Sequence, residues 1–202
     1  FLSPYKERII GSMKVIVTHT SPDWDAITSA WLIKRFLPGW ETAVFQFVPA
    51  GQRLGERGKG KGAIETIGDD EVIHVDTGLG PLDHHQTEDR NVSATSLTWR
   101  YIKTQNPAFS HKTDESERMK DKEEAIDRMV KVVVDTDHFK EVFWKDSLAD
   151  YHMFSLLALL DGLKLTKQGQ DQYYVTFGTD CLNYILHEFE NRIWAEKEIA
   201  KS

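Results

Sequence analysis

Apolar residues along the chain alternate between short β-branched runs and stripes at helical spacing. The run over residues 14–18 predicts a buried first strand, and the runs over 42–48 and 71–75 predict two more. A helix ending at Pro38-Gly39 is predicted by the stripe Ala26, Ile27, Ala30, Trp31, Ile33 and Leu37. Strands that alternate with helices favour an α/β fold with a parallel sheet flanked by helices.

The later part of the chain is predicted to be helical. Helices are expected over 93–103 and 114–133, and only helices beyond residue 140. The last has one apolar face, formed by Leu182, Ile185, Leu186, Phe189 and Ile193. We therefore expect an α/β domain over 13–140, completed by a helical extension over 141–202. Residues 1–12 end in a Gly-Ser junction typical of a vector and are interpreted as an added tail, with Met13 as the expected native start.

Composition narrows the classes of function. The net charge of -7 argues against extended contact with a nucleic-acid backbone, which needs many phosphate-neutralising cations. It is compatible with a small anionic substrate held by metal ions. The single cysteine, Cys181, excludes an internal disulfide, and the longest apolar stretch, 153–160, is too short to span a bilayer. We expect a cytoplasmic protein without a membrane partner.

Clusters of acidic residues and histidines follow the apolar runs. In parallel α/β sheets, bound molecules and ions usually lie outside the carboxyl ends of the strands. Two-metal hydrolysis needs carboxylate and imidazole ligands that converge from separate segments, with one carboxylate bridging the ions. The sequence therefore predicts one metal site built from several strand ends. Its candidate ligands are His19, Asp23, Asp25, Asp76, His84 and Asp135.

The order of these clusters resembles the motifs of DHH-family phosphoesterases, which include RecJ-type exonucleases, nanoRNases and family II inorganic pyrophosphatases. Residues 19–25 match the first motif, His-x-x-Pro-Asp-x-Asp, and Asp76 matches the second. Residues 83–85 are a literal Asp-His-His, and Asp135-Thr136 fits the fourth motif. The likeness covers about residues 14–139, the expected DHH catalytic domain. The pair His85-Gln86 and the helical tail also resemble the Myg-type metal-dependent hydrolases, a related group linked to RNA exonuclease activity.

The resemblance implies a role for each matched residue. His19 and Asp23 would bind one ion and Asp25 and His84 the other, with Asp76 and Asp135 contacting both. Four carboxylates would then balance the charge of two divalent ions, so that an anionic phosphoryl group can approach.

The remaining motif residues are expected to act beside the ions. Asp83 would orient a histidine, and His85 would contact the substrate phosphate, so these two are the predicted catalytic residues. Asp137 and His138 stay open: each either supports the site or is solvated, and Asp137 is an alternative to Asp135 as ligand.

A glycine-rich basic loop over 51–62 offers further cations. Its four basic residues are either a solvated surface feature or a clamp on substrate phosphates, where glycines permit close backbone approach. The candidates for substrate binding are Arg53, Arg57, Lys59 and Lys61.

The resemblance implies a two-metal phosphoesterase acting on short oligonucleotides or nucleotide-type phosphodiesters through a hydroxide that bridges the ions. Mixed histidine and carboxylate ligands favour Mn²⁺ over Mg²⁺, which prefers all-oxygen ligands. Two alternatives stay open. One is a manganese-dependent inorganic pyrophosphatase, and the other is a catalytically idle metal-binding interaction module. The sequence leaves a homo-oligomer open as well.

Overall fold

The computed structural model describes residues 12–55, 62–109 and 117–202. Four strands form one sheet: β1 (Lys14–His19), β2 (Val44–Val48), β3 (Ile64–Ile67) and β4 (Asp70–His74). Five α-helices accompany them: α1 (Trp24–Phe36), α2 (Ala94–Gln105), α3 (Glu117–Asp137), α4 (Leu156–Thr166) and α5 (Asp171–Ala200). Single 3-10 turns lie at Pro107–Phe109, Lys140–Phe143 and Asp150–Met153. The α/β class predicted from the sequence is confirmed.

The sheet is mixed, with the strand order β2-β1-β4-β3. β1 runs parallel to both of its neighbours, whereas β3 pairs antiparallel with β4 through a two-residue turn, Gly68-Asp69. The predicted parallel arrangement therefore holds for three strands and is wrong at the β3 edge. β3 was not predicted because it has only four residues and follows a glycine-rich stretch. The signal that marks it is a glycine at the first turn position, where Gly68 has a φ of 64°.

The main hydrophobic core lies between the helices and one face of the sheet. Side chains alternate along a strand, so Ile16 and Ile73 face a large apolar cluster, while Val15 and Val17 belong to a smaller cluster on the opposite face. The large cluster draws on α1, α2, α3 and α5 through Trp31, Trp99, Ile126 and Leu186, among others.

The last helix belongs to the same core. α5 packs against α1 and α3 and buries Leu182, Leu186 and Ile193. Within the described ranges, no helix has the length and apolar character needed to cross a membrane.

Two neighbouring strands end at the same edge of the sheet. Hydrogen bonding continues just past their ends, because the Val75 amide donates to the Val17 carbonyl at 2.9 Å and the Thr20 amide donates to the Val48 carbonyl at 2.8 Å. His19, the last residue of β1, and Asp76, which follows β4, are therefore brought side by side, as the sequence predicted.

Candidate metal centre

Asp76 lies at the centre of the candidate site. It follows β4 with a φ of 53°, a left-handed conformation that a non-glycine residue rarely adopts, and it is only 2% exposed. Its Oδ2 lies 3.2 Å from His19 Nε2, and its Oδ1 lies 3.5 Å from His84 Nδ1. Asp76 Oδ1 is buried and has no hydrogen-bond partner. Burial, followed by the negative charges of Asp25 and Asp23, raises the pKa of Asp76 well above its ordinary value.

The first group of candidate ligands consists of His19, Asp23 and Asp76. Asp23 is the N-cap of α1, and its Oδ1 accepts hydrogen bonds from the amides of Asp25 and Ala26, both at 3.0 Å. Its other oxygen, Oδ2, lies 3.8 Å from His19 Nε2. One oxygen of the Asp23 carboxylate therefore caps α1, and the other faces His19.

The second group consists of Asp25, His84 and Asp137. Asp25 is buried in the first turn of α1, and it accepts hydrogen bonds from the first amides of α2, Ala94 at 2.7 Å and Thr95 at 2.8 Å. Burial acts to raise the pKa of Asp25, but hydrogen bonds from His84 and Thr95 outweigh it and lower the pKa. Asp25 is thus an ionised carboxylate that ties the start of α1 to the start of α2.

His84 lies between two carboxylates of this group. Its Nδ1 is 3.4 Å from Asp25 Oδ2, and its Nε2 is 3.3 Å from Asp137 Oδ2. The hydrogen bond with Asp25, opposed by burial and supported by the charges of Asp137 and Asp25, raises the pKa of His84 to about 9. Burial, followed by the charge of Asp25, raises the pKa of Asp137 to about 6. The raised pKa values mean that, without a metal ion, His84 and Asp137 tend to keep a proton. A bound metal ion would displace such protons.

Asp83 orients His85, as expected. Asp83 is buried, and its Oδ1 accepts from the His85 amide at 3.0 Å and lies 2.7 Å from His85 Nδ1. Its Oδ2 accepts from the Leu79 amide at 2.7 Å. The His85 side chain is 57% exposed, and its Nδ1 lies 3.7 Å from Asp76 Oδ1. His85 therefore lies at the solvent-exposed edge of the cluster, and its hydrogen bonds with Asp83 fix its position.

The structure brings five of the six predicted ligands into these groups, but not Asp135. The Lys140 ammonium donates to Asp135 Oδ1 at 3.0 Å, and Asp135 belongs to none of the groups found among the described residues. The predicted helix ended at residue 133, whereas α3 continues to Asp137. In a helix, residues two positions apart point in nearly opposite directions, at about 100° per residue. Asp137 therefore faces the cluster in place of Asp135, which was the alternative left open.

Arg53, one of the predicted substrate contacts, has internal partners in the structure. Its guanidinium is paired with Glu65 and donates to the Gly78 carbonyl at 2.7 Å, and its side chain is 17% exposed. Gly78 has a φ of 78°, and a Cβ there would lie 2.8 Å from Arg53 Cγ, so this position requires glycine. Arg53 thus braces the loop between Asp76 and Asp83. The other predicted cations, Arg57, Lys59 and Lys61, lie outside the described residues.

Lys164 is a cation beside the site that sequence reasoning missed. From α4, its Nζ donates to the Ser21 carbonyl at 3.0 Å, within the loop that joins His19 to Asp23. The Ser21 amide donates to Asp171 Oδ1, at the start of α5, at 2.8 Å. Burial lowers the pKa of Lys164, against the charge of Asp23. A contact over 143 positions leaves no local pattern by which the sequence could reveal it.

The donors fit a divalent metal. Imidazole nitrogens and carboxylate oxygens suit ions such as Mn²⁺ or Zn²⁺. Two buried oxygens, Asp76 Oδ1 and Asp137 Oδ2, have no hydrogen-bond partner, and a buried carboxylate oxygen needs a proton or a cation. Buried aspartates and histidines of this site could therefore bind a metal ion.

Comparison with known proteins does not assign the chain to a family. No protein-family model, no curated protein and no solved structure matches the chain. Function is therefore inferred from the residues themselves.

Proposed function

We propose that the chain is a two-metal-dependent phosphoesterase of the DHH type, which hydrolyses phosphodiester bonds in short oligonucleotides or nucleotide-type substrates. The observation that carries the proposal is the position of Asp76. Its two carboxylate oxygens face histidines of different segments, His19 and His84. The residue belongs to the first group of candidate ligands and also to a third group, which it forms with Asp83, His84 and His85. A carboxylate shared in this way is the central element of two-metal hydrolysis.

Each half of the site has its own ligands. One ion would be held by His19 and Asp23, the other by Asp25, His84 and Asp137, and Asp76 would serve both. Two divalent ions bound there would activate water at neutral pH and would stabilise the charge of a transferring phosphoryl group. The carboxylates of Asp23, Asp25, Asp76 and Asp137 balance four positive charges, so a phosphate is not repelled.

His85 is the residue of this chain suited to the substrate. The Nδ1 of His85 is hydrogen-bonded to Asp83, so its Nε2 is the ring nitrogen that could donate to a phosphoryl oxygen. Because Asp83 is itself fixed by the Leu79 amide, the imidazole is oriented before substrate arrives. A donor placed in advance stabilises developing charge without reorganisation.

Charge around the site favours short substrates. The described cations nearest to the cluster have protein partners: Arg53 has Glu65, Lys140 has Asp135, and Lys164 has the Ser21 carbonyl. A long strand needs free cations along its backbone, and the chain has a net charge of -7. A dinucleotide or a strand end needs few contacts beyond the metal ions.

Activity on a set of phosphate substrates tests the proposal. We would measure kcat/KM with Mn²⁺ at fixed salt on a dinucleotide, a short oligoribonucleotide, a long single-stranded RNA and pyrophosphate. Asp76→Asn checks that the activity belongs to this site, and Asp180→Asn, an exposed carboxylate on α5, is the matched control. We expect the short phosphodiesters to be preferred, with loss of turnover only in Asp76→Asn.

Other outcomes would change the assignment. Preference for pyrophosphate would indicate a pyrophosphatase. Hydrolysis of none of the four by a protein that binds Mn²⁺ would contradict the phosphoesterase proposal and favour an idle metal-binding module. Equal efficiency on the long strand, with steep salt dependence, would contradict the preference for short substrates.

A further inference from the structure

Residues 139–165, here called the apolar segment, expose hydrophobic side chains on an unusual scale. None of the residues from 135 to 159 is buried, although this stretch is rich in aromatic and aliphatic residues. Ten of the eighteen large hydrophobic side chains exposed in the described part of the chain lie in the segment: Phe139, Val142, Phe143, Trp144, Leu148, Tyr151, Met153, Phe154, Leu159 and Leu165. The 3-10 turns Lys140–Phe143 and Asp150–Met153 contain no buried residue.

The summed apolar area of the segment is large compared with a single apolar patch of a monomeric protein. Phe154 is 98% exposed, Leu148 97% and Phe143 86%. A large aromatic side chain carries about 150–250 Å², so the ten residues together present on the order of 1,000 Å². The largest apolar patch of a typical monomer is about 300–600 Å². One side of a standard protein interface is about 800 Å². The summed exposed apolar surface of the segment is therefore comparable in size to one side of a standard interface.

Part of this surface is a groove shaped to receive side chains. It has a volume of about 650 Å³ and runs between the Asp150–Met153 turn, α4 and the start of α5. Its apolar lining includes Met153, Phe154, Leu159, Leu163, Tyr173 and Phe177. Gly162 also lines the groove, and a Cβ added there would meet no atom within 4 Å. The groove therefore has room for an additional side chain at Gly162.

The charge of the segment indicates what covers it. Residues 139–165 carry Lys140, Lys145 and Lys164 against Glu141, Asp146, Asp150 and Asp161, a net charge of -1. Most of the chain's net charge of -7 therefore lies elsewhere. A nearly neutral surface has no cationic field for nucleic acid or anionic lipid. It can face an identical surface without like-charge repulsion, as a two-fold interface requires.

We propose that the apolar segment packs against the apolar segment of a second copy of the chain, forming a two-fold symmetric dimer. The exposed aromatic residues of each copy, with Phe154 the most exposed, would cover the groove and turns of the other. None of the three candidate ligand groups includes a residue of the segment, so the dimer does not depend on the proposed enzymatic activity.

Sedimentation equilibrium of the full chain over a range of concentrations tests the dimer. We expect a mass twice that of the 23.2 kDa chain. Phe154→Glu removes an exposed aromatic group, and Gly162→Glu fills the open groove. Each should raise the dimer dissociation constant roughly 30-fold or more, as loss of an interface hot spot does. Ile199→Glu, at an exposed apolar position near the end of α5, is the matched control and should leave the constant unchanged.

Circular dichroism and thermal unfolding at low concentration separate dissociation from misfolding. Both variants should keep the helical signal of the unmodified chain, because neither position is buried. A chain that is monomeric at every concentration overturns the proposal, as does a dimer that both variants and the control leave equally tight. A monomer that instead co-sediments with phosphatidylcholine vesicles, and loses this in Phe154→Glu, would assign the surface to lipid and also overturn it.

Discussion

The imidazole rings of His84 and His85 stack on each other, with centroids 4.4 Å apart and planes inclined by 24°. The residues are adjacent, their rings are nearly parallel, and the Nδ1 atoms of both lie near Asp76 Oδ1, but their closest carboxylates differ. His84 lies between Asp25 and Asp137, whereas His85 is held by Asp83. The proposed roles of the two residues therefore differ: metal ligation for His84 and contact with substrate for His85.

Substitution of each histidine should separate these tasks. His84→Ala should lower the Mn²⁺ content, because it removes a ligand from the second group. His85→Ala should leave the metal content nearly unchanged and lower kcat by about 10²–10³, the usual cost of one donor to developing charge. Metal analysis and steady-state kinetics on the same preparations check both. Loss of an ion in His85→Ala alone would mean that the two roles are exchanged.

Asp135 and Asp137 offer a comparison within one helix. Asp137→Asn should weaken Mn²⁺ binding by more than the roughly 10–100-fold that loss of an outer-sphere partner costs. Asp135→Asn removes only an ion pair with Lys140 near the surface, worth about 0–1 kcal/mol in stability, and should leave Mn²⁺ affinity unchanged. Calorimetric titration with Mn²⁺ measures both. The reverse ranking would restore Asp135 as the ligand.

These two aspartates also show how far the sequence could lead. His19 and Asp76 lie at or just past the strand ends that the sequence predicted, because β-branched runs mark strands clearly. The fourth motif depends on where α3 ends, and helix ends are poorly marked by periodicity alone. Because α3 continues to Asp137, Asp135 and Asp137 lie on nearly opposite sides of the helix. The choice between them is thus a property of the folded helix.

Arg53 and Lys164 show a different limit. A basic residue in a glycine-rich loop suits a phosphate clamp, but Glu65, on the unpredicted strand β3, neutralises Arg53. Lys164 contacts the loop between His19 and Asp23 only because α4 packs beside that loop in the folded chain. Ion pairs and contacts between distant segments have no local signature, so the cations around the site could not be sorted from sequence.

Protonation of the cluster predicts a pH dependence for the metal-free protein. The pKa of His84 is raised from 6.5 to about 9, so its contribution to stability is full below pH 6.5 and is lost as the pH rises through 9. The pKa of Asp137 is raised from 3.8 to about 6, so the folded state again holds the extra proton and loses stability as the pH rises over that interval. The free energy of unfolding should therefore fall from about pH 4 to pH 9 on account of both groups.

Urea unfolding with and without Mn²⁺ measures this dependence. Metal binding displaces the same protons, so Mn²⁺ should stabilise the protein more at the upper end of the interval than at the lower. His84→Ala is the control, because it should flatten the metal-free profile between pH 6.5 and 9. A metal-free stability that rises through this interval in the unmodified protein, and not in the control, would contradict the assignment.

Two glycines in the C-terminal helices should respond oppositely to alanine. A Cβ at Gly178 would lie 2.5 Å from Ile27 Cγ2, where α5 meets α1, so Gly178→Ala should destabilise the protein by about 1–3 kcal/mol. Gly162→Ala on α4 meets open space and should be neutral or stabilise by about 0.5–1 kcal/mol, since glycine weakens a helix. Thermal unfolding of both variants checks the contrast. Equal effects would mean that α5 does not approach α1 so closely.

The central claim is that Asp76 serves two metal ions at once, and the number of ions bound per chain tests it most directly. Elemental analysis of the full chain equilibrated with saturating Mn²⁺ should find two ions. Asp76→Asn should weaken the binding of both, whereas His19→Ala, which alters one group only, should weaken mainly one. At most one ion in the unmodified protein, or an Asp76→Asn variant that still holds two with unchanged affinity, would contradict the account.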